Sequence, residues 1–316
     1  MKKQKLLGLL LIGFIVNGCC AELLVDKIKF ASVEKAKELL TQEDSFTKSW
    51  SQFDIDSRMQ KKQSTKEDLF DLITKQVREW TTDEKSQVIS TYKEIEKQIV
   101  DQGFKIDYPD EIYIVKTTAE EEGGAGGYTR ANYIVLNENS FTDPNSDLKH
   151  FFTHELFHVL TRNNPKFRKE MYQIFGFNLM NNVEYPEDLK AYRITNPDAP
   201  QIDSYISLTV DGETKNCMMI LYSNRDYDGG HFFNYLNIGF LSLTGDSIKT
   251  IEYKDDKPII YPYNQVTGFF EQVGQNTQYI IHPEEIAADN FAHAILNKKD
   301  LTNPEIITKI KKILHK

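Results

Sequence analysis

The chain has 316 residues and carries 47 acidic against 38 basic side chains, a formal net charge of −9. That length allows one or two domains with substantial cores, and the acidic balance argues against nucleic acid or an anionic lipid surface as partner. Three cysteines, Cys19, Cys20 and Cys217, exclude a disulfide framework, so the fold must rest on its core.

Residues 1–18 read as a signal peptide: Lys2, Lys3 and Lys5 precede an apolar run from Leu6 to Val16 that is too short to span a bilayer comfortably. The following Val16-Asn17-Gly18-Cys19 resembles a bacterial lipobox. This implies lipidation at Cys19, export, and attachment to the cell membrane or outer membrane through the lipid anchor. Removing residues 1–18 takes three lysines and no acids, so the charge falls from −9 to −12. With a mean hydropathy of −0.49 and no later spanning segment, the body is expected to be a water-soluble domain held at the bilayer by its N-terminus. Cys217, beside Met218 and Met219, is expected to be buried.

Residues 19–103 form a charged, helix-periodic region, with helices expected near 33–42, 66–80 and 83–101 and cap or turn candidates at Asp44, Ser64 and Asp83. Aromatic residues in Trp50-Ser51-Gln52-Phe53-Asp54 are suited to pinning these helices to the body. In residues 104–180 the period first changes to two. Glu111–Val115 and Tyr133–Leu136 read as strands, separated by Glu120-Glu121-Glu122-Gly123-Gly124-Ala125-Gly126-Gly127. No lysine follows in phosphate-loop order, so the glycines read as a hairpin tip or cleft rim and the glutamates as a solvated turn.

Residues 144–162 then read as one helix, with Asp143 as its cap and Pro144 at its first position. Leu148, Phe152, Leu156 and Val159 make its apolar stripe. Roughly opposite lie His154 and His158, four apart on one face within His-Glu-x-x-His, where two imidazoles can grip one metal ion while Glu155 leans over its open side. A further helix is expected over Pro165–Phe175. Residues 181–270 read as a β-rich insertion, with strands at Tyr205–Val210, Met218–Tyr222, Phe232–Leu243 and Ile248–Tyr253. Turns are expected at Asp211-Gly212, Asp228-Gly229-Gly230 and Thr244-Gly245.

The C-terminal residues 271–316 hold His282-Pro283-Glu284-Glu285-Ile286-Ala287-Ala288-Asp289-Asn290-Phe291, a helix started by Pro283. A catalytic zinc takes three protein ligands and keeps a fourth position open. Glu285 is the candidate third ligand, because Asp289 stands one turn on and can hydrogen-bond the far nitrogen of a ligand histidine. Glu284 is the alternative register.

His154-Glu155-x-x-His158 followed by Glu285-x-x-Ala288-Asp289-x-Phe291 resembles the gluzincin metallopeptidases, both thermolysin-like enzymes and the anthrax lethal factor catalytic domain. The resemblance covers the two motif helices and the strands before them. It implies an α+β zincin-like domain with an N-terminal helical layer and a β-rich insertion between the ligand helices. It implies one Zn2+ on His154, His158 and Glu285, with Glu155 as general base and Asp289 behind a ligand. A peptide or protein substrate would pair with an edge strand at Tyr133, Ile134 and Val135. It also implies an oxyanion donor, for which Tyr279 is the first candidate, ahead of His231 and Tyr192. His150, His293 and His315 read as ordinary helix residues. The competing expectations are a surface binding or adhesion module keeping a structural zinc, and a zinc amidase acting on cell-wall peptides.

Overall fold

Side-chain alternation along two strands separates the layers of this α+β molecule. In the computed structural model, which describes residues 23–316, Ile28–Phe30 (β1), Ile112–Thr117 (β2), Gly127–Arg130 (β3) and Tyr133–Asn137 (β4) form one sheet. The order is β1-β2-β4-β3, with β1, β2 and β4 parallel and β3 antiparallel to β4 at the edge. Ile112, Ile114, Ile134 and Leu136 enter one core, whereas Val115, Tyr133 and Val135 enter another on the opposite face.

Helices Val33–Thr41 (α1), Gln52–Met59 (α2) and Lys66–Gln76 (α3) form the N-terminal layer. Ala36 and Leu40 of α1 and Leu69 and Ile73 of α3 pack on the second face. The first face is covered by Thr82–Asp101 (α4) and Leu148–Asn163 (α5), joined by Tyr92 and Phe152 with ring centroids 4.9 Å apart. Reciprocal capping boxes start three of these helices, through Ser51 with Asp54, Thr65 with Asp68 and Thr81 with Glu84. Pro165–Ile174 (α6), Pro283–Ile295 (α7) and Pro304–Leu314 (α8) each begin with proline, where the missing N–H costs nothing. Phe157 of α5 meets Phe291 of α7 at 5.4 Å, which fixes the two motif helices side by side.

The segment between them is an antiparallel meander of Phe177–Leu179 (β5), Ser204–Val210 (β6), Glu213–Tyr222 (β7), Asn237–Thr244 (β8) and Ile260–Pro262 (β9). Asp211 and Gly212, at φ 50° and 82°, make the two-residue turn between β6 and β7. Ile206, Cys217, Met219 and Phe240 join the main core, and Met218, Ile220, Leu241 and Leu243 form an outer cluster.

Several expectations change. Helix α5 starts at Leu148 with Asp147 accepting from the His150 amide at 3.0 Å; Asp143 instead closes a turn, accepting from the Asn145 amide at 2.9 Å. Residues 19–103 are not purely helical, because β1 pairs in parallel with β2. Phe232–Tyr235 is a 3-10 turn, and the Ile248–Tyr253 strand is reduced to the pairs Thr250–Ile251 and Tyr253–Lys254. The glutamate triplet is not a solvated turn. Glu121 and Glu122 are buried, Glu122 against Arg58 Nη2 at 2.8 Å and Glu121 accepting from the Thr117 and Tyr128 hydroxyls.

Candidate metal centre

Helix α5 turns His154 and His158 to one side, their ring centroids 4.8 Å apart. Helix α7 brings Glu285, fully buried, to face them. Its Oε2 lies 3.0 Å from His154 Nε2 and 3.4 Å from His158 Nε2. The register of α7 is set by His282, which caps the helix by accepting from the Glu284 amide at 3.1 Å.

The far side of each imidazole is held by a carboxylate. Asp289 Oδ1 is 2.8 Å from His154 Nδ1, and Glu284 Oε1 is 3.3 Å from His158 Nδ1. With Nδ1 donating to a carboxylate, each ring turns Nε2 toward Glu285, the nitrogen that would ligate a metal ion once its proton is lost. Glu284 is itself fixed by the Thr161 hydroxyl and by the Tyr172 hydroxyl at 2.5 Å. Asn196 Nδ2 donates to the second Glu285 oxygen at 2.6 Å.

These residues fit a divalent ion of the zinc type. Two imidazole nitrogens and one carboxylate oxygen converge from buried side chains, and His158 Nε2 has no hydrogen-bond partner. The electrostatics agree. Burial opposes charge on His154, yet Asp289 and Glu285 carry it up to about 10. His158 is likewise raised despite burial, by Glu285, Asp198 and Glu284. Burial works against the charge on Glu284, but His158 and Arg168 pull its carboxyl down to about 2. The pocket thus stabilises positive charge at the position where the ligand atoms meet.

Glu155, also buried, accepts from the Thr129 hydroxyl of β3 at 2.6 Å. Tyr279 stands with its ring 6.1 Å from His154. Although the residue is 44% exposed, its phenol is pushed well above the ordinary value, first by loss of solvent and then by Glu285, Asp198, Glu155 and Asp289. The other oxyanion candidates lie elsewhere: Tyr192 donates to Asp226 at 2.9 Å, and His231 is an exposed residue before a 3-10 turn.

The assignment of the pairing edge to Tyr133, Ile134 and Val135 is corrected. Strand β4 is bonded on both sides, to β2 and β3, and its Tyr133 hydroxyl donates to Leu39 O at 3.1 Å in the second core. The sheet edge beside α5 is β3, and β1 is the other edge. His150 is also more than an ordinary helix residue, since its Nε2 reaches Asp289 Oδ1 at 3.1 Å. Glu284, Thr129, Asn196 and Asp198 complete the surroundings without a readable spacing signal; only Glu284, adjacent to the ligand, stood within the motif. Cys19 lies outside the described residues. Among those described, no helix is long and apolar enough to cross a membrane.

Comparison with protein-family models, with curated proteins and with solved structures finds no match to this chain.

Proposed function

We propose that this chain is a zinc metallopeptidase with a zincin-like domain of the gluzincin type, exported and lipid-anchored at Cys19. The observation that carries the reading is the convergence of both Nε2 atoms on Glu285 Oε2 while a carboxylate holds each far nitrogen. The antiparallel edge strand β3 running beside α5 supports the fold assignment.

His154, His158 and Glu285 would hold a zinc ion, which would act as a Lewis acid and make water nucleophilic near neutral pH. Glu155 takes the proton of the attacking water and passes it to the leaving amine, held in place by Thr129. Tyr279, kept protonated, donates to the carbonyl oxygen as negative charge develops there. A peptide or protein substrate lies extended along β3, where backbone pairing aligns it. Asp289 and Glu284 hold the two imidazoles in the ligating tautomer throughout.

The test is incubation of soluble protein from residue 21 onward with a diverse peptide mixture, read by mass spectrometry beside Glu155→Gln. Cleavage that needs zinc and disappears in Glu155→Gln, with zinc content retained, is the expected result. Equal cleavage by the variant would sink the assignment.

One observation favours the second reading, a surface binding module keeping a structural zinc. Asp198 stands within 4.8 Å of the Glu155 and His158 donor atoms, close enough that its carboxylate would take a ligand position of a metal held there. Closure of that side is what a structural site shows.

A further inference from the structure

The open edge of β3 is already occupied, by a part of this chain. The Thr129 amide donates to Asp198 Oδ1 at 2.5 Å, and the Thr129 carbonyl accepts from Arg162 Nη2 at 3.2 Å. These are the two backbone groups that Thr129 turns away from β4 and that an incoming extended peptide would use. Arg162 ties the same stretch down, donating to Pro197 O at 3.0 Å and to Asp198 O at 2.7 Å. Asn196 meanwhile reaches Glu285, and Asp198, only 9% exposed, faces Glu155 and His158. The run Thr195–Pro200 therefore crosses the metal centre as a strap.

Cavities flank the strap on both sides and share Pro197 and Asp198 as walls. One, of about 500 Å3, is lined by Arg130, Arg162, Arg168 and Glu284. The other, of about 60 Å3, is lined by Gly127, Tyr128, Leu221, Phe232 and Tyr279. Residues of β3 border both, Gly127 and Tyr128 in one and Arg130 in the other. Moving Pro197 and Asp198, the wall they share, would open one onto the other beside β3. The anchor of the strap is Thr195, whose amide donates to Asp54 Oδ1 at 2.9 Å and whose carbonyl accepts from Arg58 Nη2 at 3.0 Å.

We infer that the Thr195–Pro200 strap is an internal inhibitor of the peptide groove, with Asp198 filling the open side of the metal site and competing with substrate for Thr129. The inference rests on the metallopeptidase reading for what the groove receives, an extended peptide with an apolar side chain directed to the Tyr128–Phe232 side. The two can fail separately.

The test uses the full-length zinc-loaded chain and a fluorescent leucine-containing peptidyl hydroxamate, which chelates zinc and pairs as an extended strand. Binding to Asp198→Ala is expected to be at least about 10-fold tighter than to the unmutated chain at equal zinc content. Asp198→Asn, which keeps the acceptor for the Thr129 amide, should fall between them. Equal or weaker binding by both variants overturns the strap as an inhibitor, because a purely structural Asp198 would lower the melting temperature without raising affinity. Tighter hydroxamate binding with no peptide cleavage by any variant upholds the strap and removes the peptidase. Should the chain take up no zinc, the same peptide without the hydroxamate is the probe. A gain in its affinity in Asp198→Ala supports the strap, and an unchanged affinity overturns it.

Discussion

Glu284 sits 3.3 Å from His158 Nδ1 as the counterpart of Asp289 behind His154, so adjacent turns of one helix serve both imidazoles. Glu284→Ala is expected to keep the fold of α7 but to weaken zinc binding by roughly 10- to 100-fold, the usual cost of removing such a partner. Competition with a chromogenic chelator reads this directly, and an unchanged affinity would show that His158 does not need Glu284 to hold its ring.

Zinc uptake should release protons. In the metal-free protein His154 is raised to about 10 and so is charged at pH 7, and His158 also lies above its ordinary value. Ligation requires both rings neutral at Nε2, so at least one proton, that of His154, should leave per zinc bound at that pH. The sign for stability follows: in the metal-free protein the His154 contribution is complete below about pH 6.5 and fades as pH rises toward 10. Chelated protein should therefore lose melting temperature across that window while the zinc-loaded protein holds it. Calorimetric titration in buffers of different ionisation enthalpy counts the protons; none released would mean the imidazoles are not the ligands.

The Thr129 hydroxyl holds the Glu155 carboxylate. Thr129→Val retains the backbone of β3 and deletes the 2.6 Å hydroxyl contact. Turnover should drop about 10-fold with zinc content unchanged, and Thr129→Ser, which keeps the hydroxyl donor, should retain most of the rate. An equal drop in Thr129→Ser would point to a structural role only.

Glu121 stores a pH-dependent cost. Burial first, with help from Glu122, raises its carboxyl to about 7, and its Oε2 has no partner. Because the folded value exceeds the unfolded one, the native state is penalised increasingly from about pH 4.5 up to 7 and constantly above that. Glu121→Gln, which keeps an acceptor for Thr117 and Tyr128, should stabilise the protein by on the order of 3 kcal/mol at pH 8 and change little at pH 4. Urea melts at the two pH values separate this from a uniform effect.

Gly127 is required by close approach. A Cβ there would collide with the Val135 carbonyl and the Phe151 ring, both held by the sheet and by α5. Gly127→Ala should cost about 2 kcal/mol and loosen the start of β3, visible as a lower melting temperature and faster amide exchange at Tyr128 and Thr129. Unchanged melting would mean Phe151 can move aside.

The sequence by itself determined the local features of this protein. His154 and His158 share a face because a helix repeats every 3.6 residues, and Glu285 with Asp289 follows the same geometry on a second helix begun by Pro283. Helices α1, α3, α4 and α6 and the Asp211-Gly212 turn were legible for the same reason, since caps, periodicity and turn chemistry act over a few residues. The start of α5 was misplaced only because Asp143 and Asp147 are both competent caps.

Tertiary structure alone decided which strand is an edge and what covers it. Tyr133–Val135 and Gly127–Arg130 have similar β character, and only the pairing of β4 with β2 leaves β3 open. The burial of Glu122 depended on Arg58, 64 positions away, and the Thr195–Pro200 run came beside His158 and Glu285 through Arg162 and Asn196 from a stretch that reads as a simple break. Such contacts join residues far apart in the chain, and no periodicity records them.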